Sequence, residues 1–175
     1  MNITLRYATT EDAALVADIS RQTFYDTFAA DNTPENMDKF LSEQFTRGKL
    51  MLEVGHAENI FLLAYDKDSV AGYLKLREGK KLAALQSQST MEIARLYVVK
   101  DFIGKGVGKK LMQAAIDIAL QKEKDAVWLG VWEHNLRAIA FYTAWGFQKF
   151  DEVDFLLGDD RQRDWLMKKD IKRET

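Results

Sequence analysis

The stretch Glu92 to Leu111, E-I-A-R-L-Y-V-V-K-D-F-I-G-K-G-V-G-K-K-L, constrains this chain more than any other. It reads as a strand running into a glycine-rich loop that opens an amphipathic helix. Gly104, Gly106 and Gly108 let the backbone turn tightly and expose consecutive N–H groups, with the positive end of the helix dipole behind them. Lys105, Lys109 and Lys110 add charge there. Such a junction wants phosphate. Two familiar phosphate loops nevertheless fail on spacing. A dinucleotide fingerprint needs glycine where Lys109 stands, and a P-loop ending in Gly108-Lys109 needs glycine at 103 and a hydroxyl residue at 110. The chain has Ile103 and Lys110.

Around this junction the pattern predicts one mixed α/β domain over 1–175. Residues 2–7 alternate as a half-buried strand, and Thr9 with Asp12 resembles a capping box. The helix that follows has Ala13, Val16, Ala17, Ser20, Phe24 and Phe28 on its inner face. Thr33-Pro34-Glu35 starts a second helix, and a short third one is expected from Thr46 to about Val54. A hairpin covers 59–76, a long loop 78–90 and a strand 92–99. Next come a helix from Gly104 to about Lys122, a strand 127–132, a helix 135–145 and a final hairpin of 147–156 with 163–167. No repeat or linker divides the chain.

Composition removes several function classes. There is no cysteine, so disulfides, thiolate metal sites and a cysteine nucleophile are out. His56 and His134 are the two histidines, a zinc site would have to rest on carboxylates, and no metal is expected. Lys plus Arg number 25 against 27 Asp plus Glu, which removes the electrostatic case for a nucleic-acid binder. No apolar run approaches the ~18 residues of a membrane span. Glu11 and Asp12 interrupt any leader-like N-terminus, so a cytoplasmic protein is the expectation.

A second constellation gives the junction its context. Trp132-Glu133-His134-Asn135-Leu136-Arg137-Ala138-Ile139-Ala140-Phe141-Tyr142, followed by Gly146-Phe147, begins at a strand end and forms a helix. With the glycine loop it resembles the GNAT superfamily of acyl-CoA-dependent N-acetyltransferases. In that family a strand with an acidic residue leads into a [Gln/Arg]-x-x-Gly-x-[Gly/Ala] pyrophosphate loop, and an Asn-x-x-Ala helix carrying Tyr ends in Gly-Phe. Glu-Ile-Ala-Arg-Leu-Tyr-Val at 92–98, Thr-Phe-Tyr-Asp-Thr-Phe at 23–28 and the turn Leu157-Gly158-Asp159-Asp160 are similar to bacterial spermidine/spermine N-acetyltransferases of the PaiA type. One departure is Ile103, where the loop usually has Gln or Arg; it removes a side-chain contact while leaving the backbone grip.

The resemblance implies a GNAT fold, a mixed central sheet of about seven strands with helices on both faces. It also implies acetyl-CoA as cosubstrate, a small-molecule amine as acceptor, and a homodimer as an expectation. The loop Ile103, Gly104, Lys105, Gly106, Val107, Gly108 and Lys109 would hold the pyrophosphate. Leu96, Tyr97 and Val98 would pair with the pantetheine, helped by Asn135, while Arg137 would touch the phosphates or stand as an exposed helix arginine. Glu92 is the expected general base, the alternatives being a strand carboxylate or a substrate-binding acid. Tyr142 is the expected acid for the departing thiolate, although it shares a helix face with Ala138, Phe141 and Trp145 and could equally pack in the core.

Tyr25, Asp26, Phe28, Glu92 and Glu133 are the candidate acceptor contacts. Residues 22–38 carry four acids and no base, and residues 151–160 five acids and no base, while 100–110 carry four lysines against Asp101. A polyamine acceptor fits that segregation, with solvated acidic faces as the plainer explanation. Acetylation of a protein N-terminus or lysine, or a non-catalytic acyl-CoA-binding module, are the competing functions.

Overall fold

Alternating stretches and continuous apolar runs build seven strands: β1 (Ile3–Tyr7), β2 (Asn59–Asp66), β3 (Ser69–Arg77), β4 (Thr90–Val98), β5 (Ala126–Trp132), β6 (Gln148–Leu157) and β7 (Asp160–Asp170). They form one sheet in the order β1-β2-β3-β4-β5-β7-β6 in a computed structural model that describes residues 2–171. The pair β4–β5 is parallel and all other neighbours are antiparallel. A parallel pair needs a crossover, and α4 (Val107–Gln121) supplies it. The expected mixed sheet of seven strands is therefore present; the outermost residues of the 1–175 span lie outside the described set.

Period-two alternation sends neighbouring residues of a strand to opposite layers. Leu62 and Ala64 of β2 join the core under α4, whereas Phe61 and Leu63 join the core under α1 (Ala13–Phe28). Helix α5 (Leu136–Ala144) lies on the α4 side, through Tyr142, Phe141 and Ala138. On the other side α1 packs with α2 (Pro34–Lys39) and α3 (Arg47–Glu53) around Phe24, Phe40, Phe45 and Leu157. Because α1 meets both the sheet and α3, its buried face is wider than the sequence pattern suggested and includes Ile19 and Thr23. The buried hydroxyls are satisfied by the helix itself: Ser20 donates to the Val16 carbonyl at 2.6 Å and Thr23 to that of Ile19 at 2.7 Å. Among the described residues no helix is long and apolar enough to cross a membrane.

Three of the boundaries that differ from the sequence reading have a local cause. Gly104 and Gly106 take φ of 83° and 86°, a left-handed backbone that cannot be helical, so α4 begins at Val107 rather than at Gly104. Strand β7 starts at Asp160, three residues early, because Gly158 turns tightly at φ 61° and the Asp159 N–H donates to Asn36 Oδ1 at 2.9 Å. The second helix runs on past Lys39 as a wider-wound turn, Phe40–Gln44, which stacks Phe40 on Phe24 at 4.4 Å.

One irregularity sets the site. In the β3–β4 ladder Lys75 pairs with Arg95 and Leu76 with Ile93, leaving Ala94 as an extra residue. Such a bulge bends the strand that carries it. Strand β4 accordingly pairs with β5 only over Thr90–Glu92 against Ala126–Trp128, and beyond that point the two strands part.

Candidate functional site

The gap between β4 and β5 opens into a cleft of about 1040 Å³. One wall is β4 from Ile93 to Val98, the other is β5 from Gly130 to Trp132 with the start of α5. Val99 donates to the Ala71 carbonyl at 2.8 Å, which fixes the alternation of the β3–β4 ladder. Tyr97, two residues back, therefore spends its backbone groups on β3, and Leu96 and Val98 turn theirs toward the gap. Of the expected trio, two offer a free peptide edge and Tyr97 does not. The Tyr97 ring is half-buried, and desolvation holds its phenol above the ordinary pKa.

At one end lies the glycine loop. The N–H groups of Val107, Gly108 and Lys109 open α4 without intrahelical partners; the first ladder bond is Lys110 to the Gly106 carbonyl at 3.2 Å. Ile103, Gly104, Gly106, Val107, Gly108, Lys109 and Lys100 line the cleft here, and Arg137 reaches it from α5. These backbone donors, the helix dipole and the flanking cations can hold a diphosphate. Two expected lysines are elsewhere. Lys110 donates to the Ile3 carbonyl at 2.7 Å, and the Lys105 ammonium sits 5.8 Å from the Phe102 ring centre, outside the cleft wall. The charge of the loop is thus smaller than its count of lysines.

Midway along, Asn135 caps α5 by accepting the Ala138 N–H at 3.3 Å, and its residue also lines the cleft. Tyr142 lines the cleft as well. Its ring is buried beside Phe141 and Phe147, its hydroxyl makes no hydrogen bond among the described residues, and burial pushes its pKa up to about 12. A phenol in that state stays protonated near neutral pH and can donate into the cleft.

The far end is aromatic and acidic. Phe24, Phe28, Phe40, Phe45, Trp132 and Phe155 surround it, with Phe28 edge-on to Trp132 at 6.2 Å. Asp26 enters from α1 and Asp164 from β7. Arg95 is the cation on this wall among the described residues, and its guanidinium is already bound by both carboxylate oxygens of Glu53 at 2.7 and 2.9 Å. Asp164 has no hydrogen bond or ion pair among the described residues, and burial pushes its pKa up to about 6. It stands opposite Trp132 in the β5–β7 ladder and lines the cleft beside Gly130, at 3.8 Å from that residue's Cβ position. The sequence reading passed over Asp164, yet a signal existed: Gln162, Asp164 and Leu166 alternate on one face, and Leu166 is buried.

Several expected site residues are not brought together. Glu92 is buried on the α1 side of the sheet, where its carboxylate accepts the Arg77 Nε–H at 2.6 Å, and it does not line the cleft. It precedes the bulge, so the strand has not yet left β5. Glu133 pairs with His134 at 3.4 Å and Tyr25 is half exposed; neither lines the cleft. Among the acids of 151–160, Glu152 and Asp154 face Arg163 and Asp159 faces Lys39. Three of that segment's five acids are thus paired locally, and of the acids in the two segments only Asp26 lines the cleft. Phe28 and Asp26 both line the cleft. Among the described residues no group of three or more His, Asp or Glu side chains could hold a metal ion.

Comparison with known proteins follows the same geometry. Residues 20–147 match the acetyltransferase (GNAT) family. An uncharacterized N-acetyltransferase in the pepI 3′ region of Lactobacillus delbrueckii subsp. lactis is 42% identical over 151 residues, 86% of this chain and 87% of that protein. The spermidine N(1)-acetyltransferase of Thermoplasma acidophilum is 25% identical over 163 residues, 90% of this chain and 96% of that protein. Among solved structures, the PaiA N-acetyltransferase of the same organism in complex with coenzyme A superposes with a TM-score of 0.77 at 24% identity, covering 97% of this chain and 99% of that one.

Proposed function

This chain belongs to the acetyltransferase (GNAT) family, and from that premise we propose that it moves the acetyl group of acetyl-CoA directly onto a primary amine, with a polyamine such as spermidine or spermine as acceptor. One observation carries the choice of acceptor. The far end of the cleft offers aromatic faces and two carboxylates, Asp26 and Asp164, while Arg95 there is already bound by Glu53. A protonated amine on an apolar chain is attracted by both features. An acceptor bearing a carboxylate meets like charge. The spermidine N(1)-acetyltransferase relative supports the same reading.

The other groups of the cleft then take consistent roles. The first-turn N–H groups of α4, with Lys100, Lys109 and Arg137, receive the pyrophosphate. The free edge of β4 at Leu96 and Val98 pairs with the pantetheine amides as an added strand, and an N–H of that edge meets the thioester oxygen as negative charge builds on it. The amine nitrogen attacks the carbonyl carbon, a C–N bond forms and the C–S bond breaks. The Tyr142 hydroxyl gives its proton to the leaving sulfur.

Release of free thiol from acetyl-CoA, measured against polyamines, amino acids and peptides, tests this. The expected result is the highest kcat/KM with spermidine or spermine. Turnover confined to peptides removes the polyamine acceptor and leaves the acetyltransferase.

A further inference from the structure

With Glu92 bound to Arg77 away from the cleft, the reaction lacks a proton acceptor. At neutral pH a primary amine, with a pKa near ~10, arrives as ammonium and cannot attack until a proton leaves it. We propose that Asp164 is that acceptor, a catalytic residue of the amine half of the cleft, and that it takes the proton from the acceptor's ammonium before attack. The inference rests on the family reading of the cleft but not on the identity of the amine.

The geometry is specific. Asp164 lines the cleft from β7, opposite Trp132 of β5. Asp164 Oδ2 lies 3.8 Å from where a Cβ at Gly130 would stand, which sets the carboxylate beside the Gly130 backbone on the β5 wall of the cleft. Asp26, the other carboxylate of the cleft, differs in its setting: it accepts a hydrogen bond from Gln22 at 3.0 Å along the outside of α1. The remaining ionisable groups of the walls are Arg95 and Tyr97 on β4, Lys100 before the loop, Lys109 on α4, and Arg137 and Tyr142 on α5. Arg95 is bound to Glu53, and both phenols are held protonated by burial, so none of these three competes with Asp164 for the proton. Burial lifts the Asp164 pKa to about 6, which brings it closer to the ammonium it must deprotonate than an exposed carboxylate would be.

The protons balance. The ammonium carries three: one passes to Asp164, one reaches the sulfur by way of the Tyr142 hydroxyl, which is refilled from the nitrogen, and one stays on the amide. Asp164 then returns its proton to water. No further reactant is needed.

Two measurements on the full chain test the assignment. Titration of the Asp164 carboxyl by ¹³C NMR is expected to show a midpoint near 6; a midpoint near 4 overturns it. Steady-state kinetics with acetyl-CoA, run with spermidine and with a tripeptide bearing a free N-terminus, follow kcat/KM against pH. The native chain is expected to lose activity below about pH 6, and Asp164→Asn to lose ~10²–10³-fold and that acidic limb with it. A variant that keeps the limb, or that raises KM alone, makes Asp164 an anchor and overturns the proposal. Activity on the tripeptide only removes the polyamine acceptor and leaves the test of Asp164 intact; no turnover with either acceptor overturns both. Misfolding is separated by stability. The native Asp164 binds more protons than the unfolded chain between about pH 4 and 6, so folding loses stability as pH rises through that window. Asp164→Asn is therefore expected to be more stable than the native chain at pH 7, and a less stable variant means a structural carboxylate.

Discussion

Glu53, the last residue of α3, accepts two hydrogen bonds from Arg95, the residue that follows the β4 bulge, at 2.7 and 2.9 Å. The same carboxylate takes the ammonium of Lys75, the Arg95 ladder partner, at 3.1 Å. Burial and the Arg95 charge hold that ammonium below its ordinary pKa. A single acid thus compensates two buried cations and ties a helix to the point where the cleft opens. Glu53→Gln leaves both cations without their countercharge and is expected to cost about 3 kcal/mol in urea unfolding, as for one partner removed from a buried pair. Because Arg95 is also a wall of the amine end, KM for the amine should rise as well, through the introduced positive charge.

Tyr142 is the second case. Its hydroxyl is free to serve the cleft while its ring is committed to the core. Tyr142→Phe removes one oxygen and keeps the packing, so turnover is expected to fall ~10²-fold with little change in acetyl-CoA affinity. Unchanged turnover shows that the sulfur leaves without this proton.

Glu92→Gln separates structure from catalysis. The carboxylate of Glu92 is held by Arg77 on the far side of the sheet from α4, and its loss leaves a cation facing a neutral amide. A drop in stability of about 2 kcal/mol is expected, with the pH dependence of kcat/KM unmoved. A shifted profile returns the role of base to Glu92.

The contrast between Glu92 and Asp164 shows what the sequence held. The glycine loop and the Asn135 helix were legible because each is a local device: a left-handed turn, a cap and a helix start are written in consecutive residues. The strands were legible from their alternation. The bulge at Ala94 was not, because it is a mismatch of count between β3 and β4 and leaves no mark on β4 alone. Without the bulge, period-two alternation would put Glu92 on the same face of β4 as Leu96. Asp164 lies far along the chain and enters the cleft only because β7 pairs with β5, a relation set by the whole sheet. The acids of 151–160 failed for a similar reason: their partners Arg163 and Lys39 come from the neighbouring strand and from α2.

Asp12 gives a prediction in acid that is independent of catalysis. Arg6 donates to both of its oxygens, at 2.9 and 2.8 Å, and the Thr9 N–H adds a third hydrogen bond at 2.8 Å. The Arg6 hydrogen bonds, followed by that of Thr9, lower the carboxyl pKa to about 2. In the unfolded chain the same group titrates near 3.8, so between these values the unfolded state binds more protons than the native one. Stability contributed by this pair is complete above about pH 4 and drains away as the pH falls toward 2. Asp12→Asn should therefore cost about 1 kcal/mol at pH 7, a figure kept small by the exposure of Arg6. The difference between variant and native chain should shrink as the pH falls to 2, where about half of the native carboxyl is already neutral. Urea midpoints at pH 7, 4, 3 and 2 measure it, and a gap as large at pH 2 as at pH 7 assigns the effect to the turn geometry at Thr9 instead of to the charge.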